Sequence, residues 1–208
     1  MKKIWERIEK GLEDLKIKYP EVEFEYTLNP GAKEEDFEKL EKVTGLKLDK
    51  DFKDFYKIHN GEEGWEGILA GEELLSIDRI ISEYRVRKNL FDGGDFNDEN
   101  KKDFGCEAID KGIKSDFWWN PKWLPLTADG GGNGKMIDFD PSEKGKIGQI
   151  IQMWHDDSVR QKYSNSLREY LEDFAKDLEN GKYALSDDYG LILEEELDEW
   201  EKEEKEVF

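Results

Sequence analysis

The sequence predicts an α+β fold: one domain in which a mostly antiparallel sheet packs against helices, followed by an acidic helical C-terminal tail. Helical periodicity comes first, short β-type segments then cluster, and helical periodicity returns, without the strand-helix alternation of a βαβ array. At 208 residues the chain suffices for one well-filled core and is short for two independent ones.

Ile4, Trp5, Ile8, Leu12 and Leu15 recur at helical spacing with charges between them, predicting an amphipathic helix that ends near Tyr19-Pro20. Asn29-Pro30-Gly31 is a turn signal. After it, Glu34-Glu35-Asp36 opens a second helix with Phe37, Leu40 and Val43 on its apolar face and Gly45 as its stop. Asp49 caps a third helix, whose buried side carries Phe52, Phe55, Tyr56 and His59 and whose left-handed exit is Asn60-Gly61. Trp65-Glu66-Gly67-Ile68-Leu69 and Leu74-Leu75 suit short strands, and a brief helix is expected around Ile77 to Tyr84.

Asp, Asn, Gly and Lys dominate from Lys88 to Asp116, predicting a long surface excursion of low order. Residues 118–119, 123–127, 135–140 and 147–154 read as strands separated by Gly, Asn and Pro turns, paired as neighbours in an antiparallel meander. Tyr163, Leu167, Tyr170, Leu171, Phe174 and Leu178 mark a last amphipathic helix, started from Asp156-Asp157-Ser158 or from Ser164, over one sheet face. From Glu194 to Glu206 nine acidic residues stand against Lys202 and Lys205, with Leu193, Leu197, Trp200 and Val207 in a helical stripe. The expected division is a helix and lead-in over residues 1–28, a central domain over 29–178 with an insertion around 88–116, and an acidic segment over 179–208.

Thirty-two Lys and Arg against 52 Asp and Glu give a net charge of −20. That field repels nucleic acid and anionic membranes and attracts a basic macromolecule. Twelve per cent aromatic residues, with seven Trp, are too many for a disordered acidic chain. The single cysteine, Cys106, excludes an internal disulfide framework and fits a reducing compartment. Acidic residues from Glu6 to Asp14 interrupt any export signal, and no run is apolar enough to span a membrane, so the expected location is the cytoplasm.

The glycine-rich run from Asp129 to Lys135 invites a phosphate-loop reading, but the pattern needs Gly at 129 and Ser or Thr at 136, where Asp and Met stand. A hairpin turn fits better, because a strand pattern follows. Asp138 and Asp140, two apart on a strand, project from one face and could hold a divalent cation; alternatively Asp138 bonds the glycine loop and Asp140-Pro141 starts a turn. The stretch from Asp95 to Cys106 fails as a calcium loop, with Asn100 where Gly is required and Cys106 where Glu is required. Only His59 and His155 could serve acid-base chemistry near neutrality, no Gly-x-Ser-x-Gly elbow occurs, and no base accompanies Cys106. No catalytic residue and no cofactor is therefore expected. Trp118, Trp119 and Trp123 cannot all be buried by one strand whose side chains alternate; each is either core or an interface anchor.

Pro30-Gly31-Ala32 ahead of an acidic helix, Leu40-Glu41, Gly45-Leu46-Lys47-Leu48, Asp51-Phe52-Lys53-Asp54-Phe55-Tyr56, His59-Asn60-Gly61, the Trp118 to Pro125 segment, Gly131-Gly132-Asn133, Ile137-Asp138-Phe139-Asp140-Pro141 and Gly148-Gln149-Ile150-Ile151 stand in one order. That order resembles the SUKH superfamily, and within it the Smi/Knr cell-wall-assembly-regulator-like group, from about Asn29 to about Phe174. The sequence departs from the family pattern at Asp49, where a proline often follows the Leu48 position, and in the insertion from Lys88 to Asp116.

The resemblance implies an α+β domain without catalysis. Bacterial members are typically immunity proteins that bind and neutralise polymorphic toxins, many of them nucleases, and fungal members coordinate cell-wall synthesis with signalling. The expectation drawn from this is a bacterial, cytoplasmic immunity protein that occludes a basic toxin domain, a nuclease, by direct binding. Its candidate contacts are Trp118, Trp119, Asp138, Asp140, His155, Asp156 and Asp157. The alternatives are a signalling or cell-wall-synthesis regulator and, third, a metal-dependent enzyme using Asp138 and Asp140.

Overall fold

The computed structural model describes residues 1–197. Helix α1 (Lys2–Lys18) buries Ile4, Trp5, Ile8, Leu12 and Leu15 on one stripe. Gly11 lies on the same face because α5 (Leu167–Glu179) crosses there: a Cβ at position 11 would stand 2.8 Å from the Leu178 Cβ. After α1 the chain forms β1 (Thr27–Pro30) and then α2 (Glu34–Thr44), in which Asp36 accepts from the Lys33 N–H at 2.8 Å and Gly45 supplies the left-handed stop. Asp49 caps α3 (Lys50–Tyr56) by accepting from the Phe52 N–H at 2.8 Å, and the Phe55 ring stacks on Trp5 at 4.9 Å.

The third helix stops three residues earlier than its apolar stripe suggests. His59, Asn60 and Gly61 belong to β2 (His59–Glu63), paired antiparallel with β1. Pairing with β1 captures backbone groups that one more helical turn would have used. Gly61 is glycine for close approach as well as for its φ of +74°: a Cβ there would meet the Ser76 nitrogen at 2.4 Å. The brief helix expected at Ile77 continues to Gly93 as α4 (Ile77–Gly93), after β3 (Glu73–Leu74) and the Ser76 cap. Its continuation is disguised because the next position on the buried stripe is Arg87, neutralised by Glu83 one turn away at 2.7 Å.

The excursion after α4 is tied down by β4 (Glu107–Ala108), which runs parallel to β9 (Val159–Arg160). Trp118 and Trp119 lie in irregular chain rather than a strand, because the Trp118 N–H is taken by the Asp103 carboxylate at 2.7 Å instead of a neighbouring strand. Next come β5 (Trp123–Pro125), β6 (Thr127–Ala128), β7 (Gly134–Asp138), β8 (Gln149–Met153) and β10 (Lys162–Ser164). The main sheet is antiparallel in the order β10-β8-β7-β5, and β6 pairs with β3 beside it. Tyr163, expected on the last helix, is on β10, and α5 starts after it from Ser166, whose Oγ accepts from the Glu169 N–H. An antiparallel hairpin, β11 (Tyr183–Ser186) with β12 (Gly190–Leu193), follows at the start of the expected acidic segment. Leu193 is thus in a strand, and Trp200 and Val207 lie outside the described residues.

Alternation along the sheet feeds two cores. Leu124, Ile137 and Ile150 face the larger one with α1, α3 and α5, while Trp123, Met136, Ile151 and Met153 face a second with Tyr84 and Trp119. Every residue of β7 and β8 is therefore buried. Polar side chains on these strands have to find partners inside the protein, and they organise the site described next.

Candidate protein-interaction face

The glycine run is a closed turn between β6 and β7. Asp129 Oδ1 accepts from the N–H groups of Gly131 (2.8 Å) and Asn133 (2.9 Å), and Oδ2 from the Asn133 side chain at 2.7 Å. A carboxylate occupies the amides that a phosphate would need, and a strand follows the loop. Asn133 Oδ1 in turn accepts from the His155 N–H at 2.8 Å and from His155 Nδ1–H at 2.9 Å, fixing the imidazole beside the loop. From below, the buried Arg87 donates to the Gly132 carbonyl at 3.0 Å.

Beside this loop stands Trp65, 63% exposed, with its ring edge toward Gly130 and the Arg79 guanidinium 4.7 Å from its centroid. Arg79 is held by a two-pronged pair with Glu73 at 3.1 Å. The segment carrying Trp65 is anchored by Glu62, a buried carboxyl that accepts from the N–H groups of Gly67 (3.0 Å), Ile68 (3.1 Å) and Leu74 (3.3 Å). Burial pushes the Glu62 carboxyl up to about 7 despite those three bonds. Sequence reasoning missed Trp65, Arg79 and Glu62 as parts of one face. The available signal was an acidic pair, Glu62-Glu63, next to glycines that could turn their amides inward.

The seven sequence candidates fall into three neighbourhoods. His155 joins the glycine-loop face, followed by the exposed Asp156, whose carboxylate lies 3.6 Å from His155 Nδ1. Asp157 is exposed too, but its carbonyl accepts from the buried Arg160 at 2.6 Å, and Arg160 also donates to the Trp118 carbonyl at 2.9 Å. Trp118 is half-buried against that guanidinium and the exposed Phe104. Trp119 and Asp138, expected as contacts, are instead in the interior: both are 0% exposed, Trp119 against Tyr84 and Phe91.

Asp138 and Asp140 do not share a face. Asp138 ends β7 and points inward, accepting from the Asp140 N–H and from Gln149 Nε2, each at 2.8 Å; burial pushes its carboxyl up to about 6. Asp140 lies past the strand end. Burial works against its charge, yet bonds from Lys114 (2.7 Å) and Asn120 (3.1 Å) and the charge of Lys122 outweigh it and hold the carboxyl below its ordinary range. Among the described residues no three His, Cys, Asp or Glu side chains gather as a metal site. The Cys106 thiol, pushed up to about 11 by burial, stays protonated near neutrality, which disfavours a nucleophilic role. What the geometry offers is a rigid, aromatic and acidic surface suited to binding a protein.

The model of the SMI1 / KNR4 family (SUKH-1) matches residues 31–173, which contain the glycine loop, Trp65 and all seven sequence candidates. The chain belongs to the SMI1 / KNR4 family. Its SMI1 / KNR4 relatives include the cell wall assembly regulator SMI1 of Saccharomyces cerevisiae, 26% identical over 78% of this chain and 38% of the relative. The cell wall biosynthesis/cell cycle regulator smi1 of Schizosaccharomyces pombe is 28% identical over 88% of this chain and 37% of the relative. A glucan synthesis regulatory protein of Neurospora crassa is 26% identical over 88% of this chain and 39% of its own length. The chain thus spans about two fifths of these relatives.

The family consists of non-catalytic regulatory domains, in agreement with the expectation that this chain is not an enzyme. The expectation of a bacterial toxin-immunity protein is corrected: the curated relatives that match most of the chain are fungal, and three of them carry names that concern the cell wall, the cell cycle and glucan synthesis.

Proposed function

We propose that this domain is a non-catalytic regulatory scaffold for cell-wall synthesis and its signalling, acting through protein binding at the glycine-loop face. The family match carries this reading, because three relatives that each cover more than three quarters of the chain are named for cell-wall assembly, cell-wall biosynthesis or glucan synthesis. The net charge of −20 favours a basic protein partner over nucleic acid or an anionic membrane, and a lone protonated cysteine suits a cytoplasmic location.

The test is a graft: this chain replaces the matching segment of the Saccharomyces cerevisiae relative, and growth is scored on a wall-binding dye. Restored growth supports the reading. A graft that accumulates and folds but leaves cells as sensitive as the deletion strain overturns it.

A further inference from the structure

A second surface lies apart from the glycine loop, and much of its wall is C-terminal to the residues that the family model matches. It is a cleft of about 750 Å³ between β10, α5 and the β11-β12 hairpin, a volume in the range of ligand sites. We propose that this cleft binds a peptide segment bearing a basic side chain, an arginine in first place, with its guanidinium between tyrosine faces and the carboxylate of Asp173. The proposal deepens the regulatory reading and rests on it for choosing a protein ligand over a small molecule.

Charge is the first argument. Glu72, Asp173, Asp177 and Glu196 line the cleft against only Lys135 and Lys182. Both lysines are already committed, Lys135 to Glu72 and Lys182 to Asp177, each at 2.7 Å. Asp173 is exposed and makes no ion pair among the described residues, so a cation arriving here meets an uncompensated carboxylate. Aromatic chemistry is the second. Lys135 Nζ sits 5.2 Å from the Tyr163 ring centroid, so that ring already accepts a cation, and Tyr163 is half-exposed beside it.

The third argument points to a ligand independently of charge. Tyr170 is 7% exposed, and its hydroxyl has no hydrogen-bond partner among the described residues. The groups whose fields reach it, Glu72, Tyr183 and Tyr163, are all walls of the same cleft. An unpaired buried hydroxyl is a cost to the free protein that a ligand carbonyl or N–H would offset. Finally, β10 is the edge of the main sheet and, among the described residues, β12 pairs only with β11, so two strand edges border the cleft, with the Lys162 N–H taken by Asp110 and the Leu193 N–H by Glu196.

The experiment is an NMR titration of the full chain with acetyl-Ala-Ala-Arg-Ala-Ala-amide, with the same peptide carrying citrulline, and with methylguanidinium. Saturable shifts confined to β10, α5 and β12 are expected for the arginine peptide, with binding about fivefold weaker for Asp173→Asn or Tyr163→Ala. Tyr170→Phe is expected to weaken binding while leaving the free protein's thermal midpoint unchanged or higher, an outcome that a merely structural hydroxyl would not give. No shifts in the cleft, or equal affinity for the citrulline peptide, overturns the proposal. Methylguanidinium binding as tightly as the peptide overturns the peptide source. Because this titration involves no cell-wall readout, its failure leaves the graft result standing, and the reverse holds too.

Discussion

Trp119 and Trp65 occupy regions of similar composition, each a tryptophan among glycines, acids and loops, yet one region is closed and the other open. Trp119 is sealed under Tyr84, at the expected end of α4, and Phe91, a ring supplied by the continuation of that helix. Trp65 carries the Arg79 guanidinium over its ring and is still 63% exposed. The difference shows that burial of an aromatic residue here is decided by whether a distant helix reaches it, not by its neighbours in sequence. If so, deleting the two rings should have opposite consequences. Trp119→Ala is expected to cost about 3–5 kcal/mol, read as a lower urea midpoint, because it opens a large cavity in the second core. A loss under about 1 kcal/mol would mean that this core is not closed around it.

Glu62 lies between these extremes, since its buried carboxyl stabilises the open region from beneath. Glu62→Ala leaves three buried N–H groups unpaired and is expected to cost about 2 kcal/mol. Its titration gives a sharper measurement. The folded protein holds the Glu62 proton up to about 7, above its ordinary 4.5, so between those values the native state binds more protons than the unfolded chain. Stability from this group is therefore greatest at low pH and falls as pH rises through that window. Asp138 acts in the same direction but ends near 6. In Glu62→Gln the decline between about pH 6 and 7 should vanish while the decline below about 6 remains. An unchanged profile in denaturation series would show that Glu62 is not the group responsible.

Asp140 provides the opposite sign and a smaller effect. Its carboxyl is held below the ordinary range, so its contribution is present above that range and lost as pH falls through it. Because the site is partly open to water, Asp140→Asn should cost no more than about 1 kcal/mol near neutrality and less in high salt. A cost as large as that of Glu62→Ala would place Asp140 in a more tightly coupled network than its bonds to Lys114, Asn120 and Lys122 describe.

The α+β class, the ends of α1 and α2, and the meander of β5, β7 and β8 were legible because apolar period and turn chemistry agree there. His59 was misread because a helical stripe cannot reveal that Thr27–Pro30 competes for the same backbone. Arg87 hid the last turns of α4, since a buried, paired arginine looks like solvent-facing charge in a periodicity count. Of the proposed face, the exposure of His155 and Asp156 could be read from a turn. Trp65 could not, because its neighbourhood is assembled by long-range contacts with Arg79 and Gly130. Of the two readings of Asp138 and Asp140, a shared strand face fails because alternation holds only while the strand continues, and β7 ends at Asp138; the Asp138 carboxylate accepts from Asp140 and Gln149 and not from the glycine loop.

The smallest expected stability effect belongs to Trp65→Ala, and that is what makes it informative. An exposed ring whose main contact is one guanidinium should cost less than about 1 kcal/mol when removed, leaving the urea midpoint close to that of the parent. Nothing in folding then explains why so large an apolar surface is held by Glu62 from below and flanked by the loop that fixes His155. The proposed partner binding would, and the graft tests it directly. Trp65→Ala in the graft should abolish growth on the wall-binding dye while protein level and midpoint stay unchanged, whereas Tyr163→Ala on the other cleft should not reproduce that loss in full. If Trp65→Ala supports growth as well as the parent graft, the open region is not the contact surface, and exposure of Trp65 is ordinary surface composition rather than a binding face.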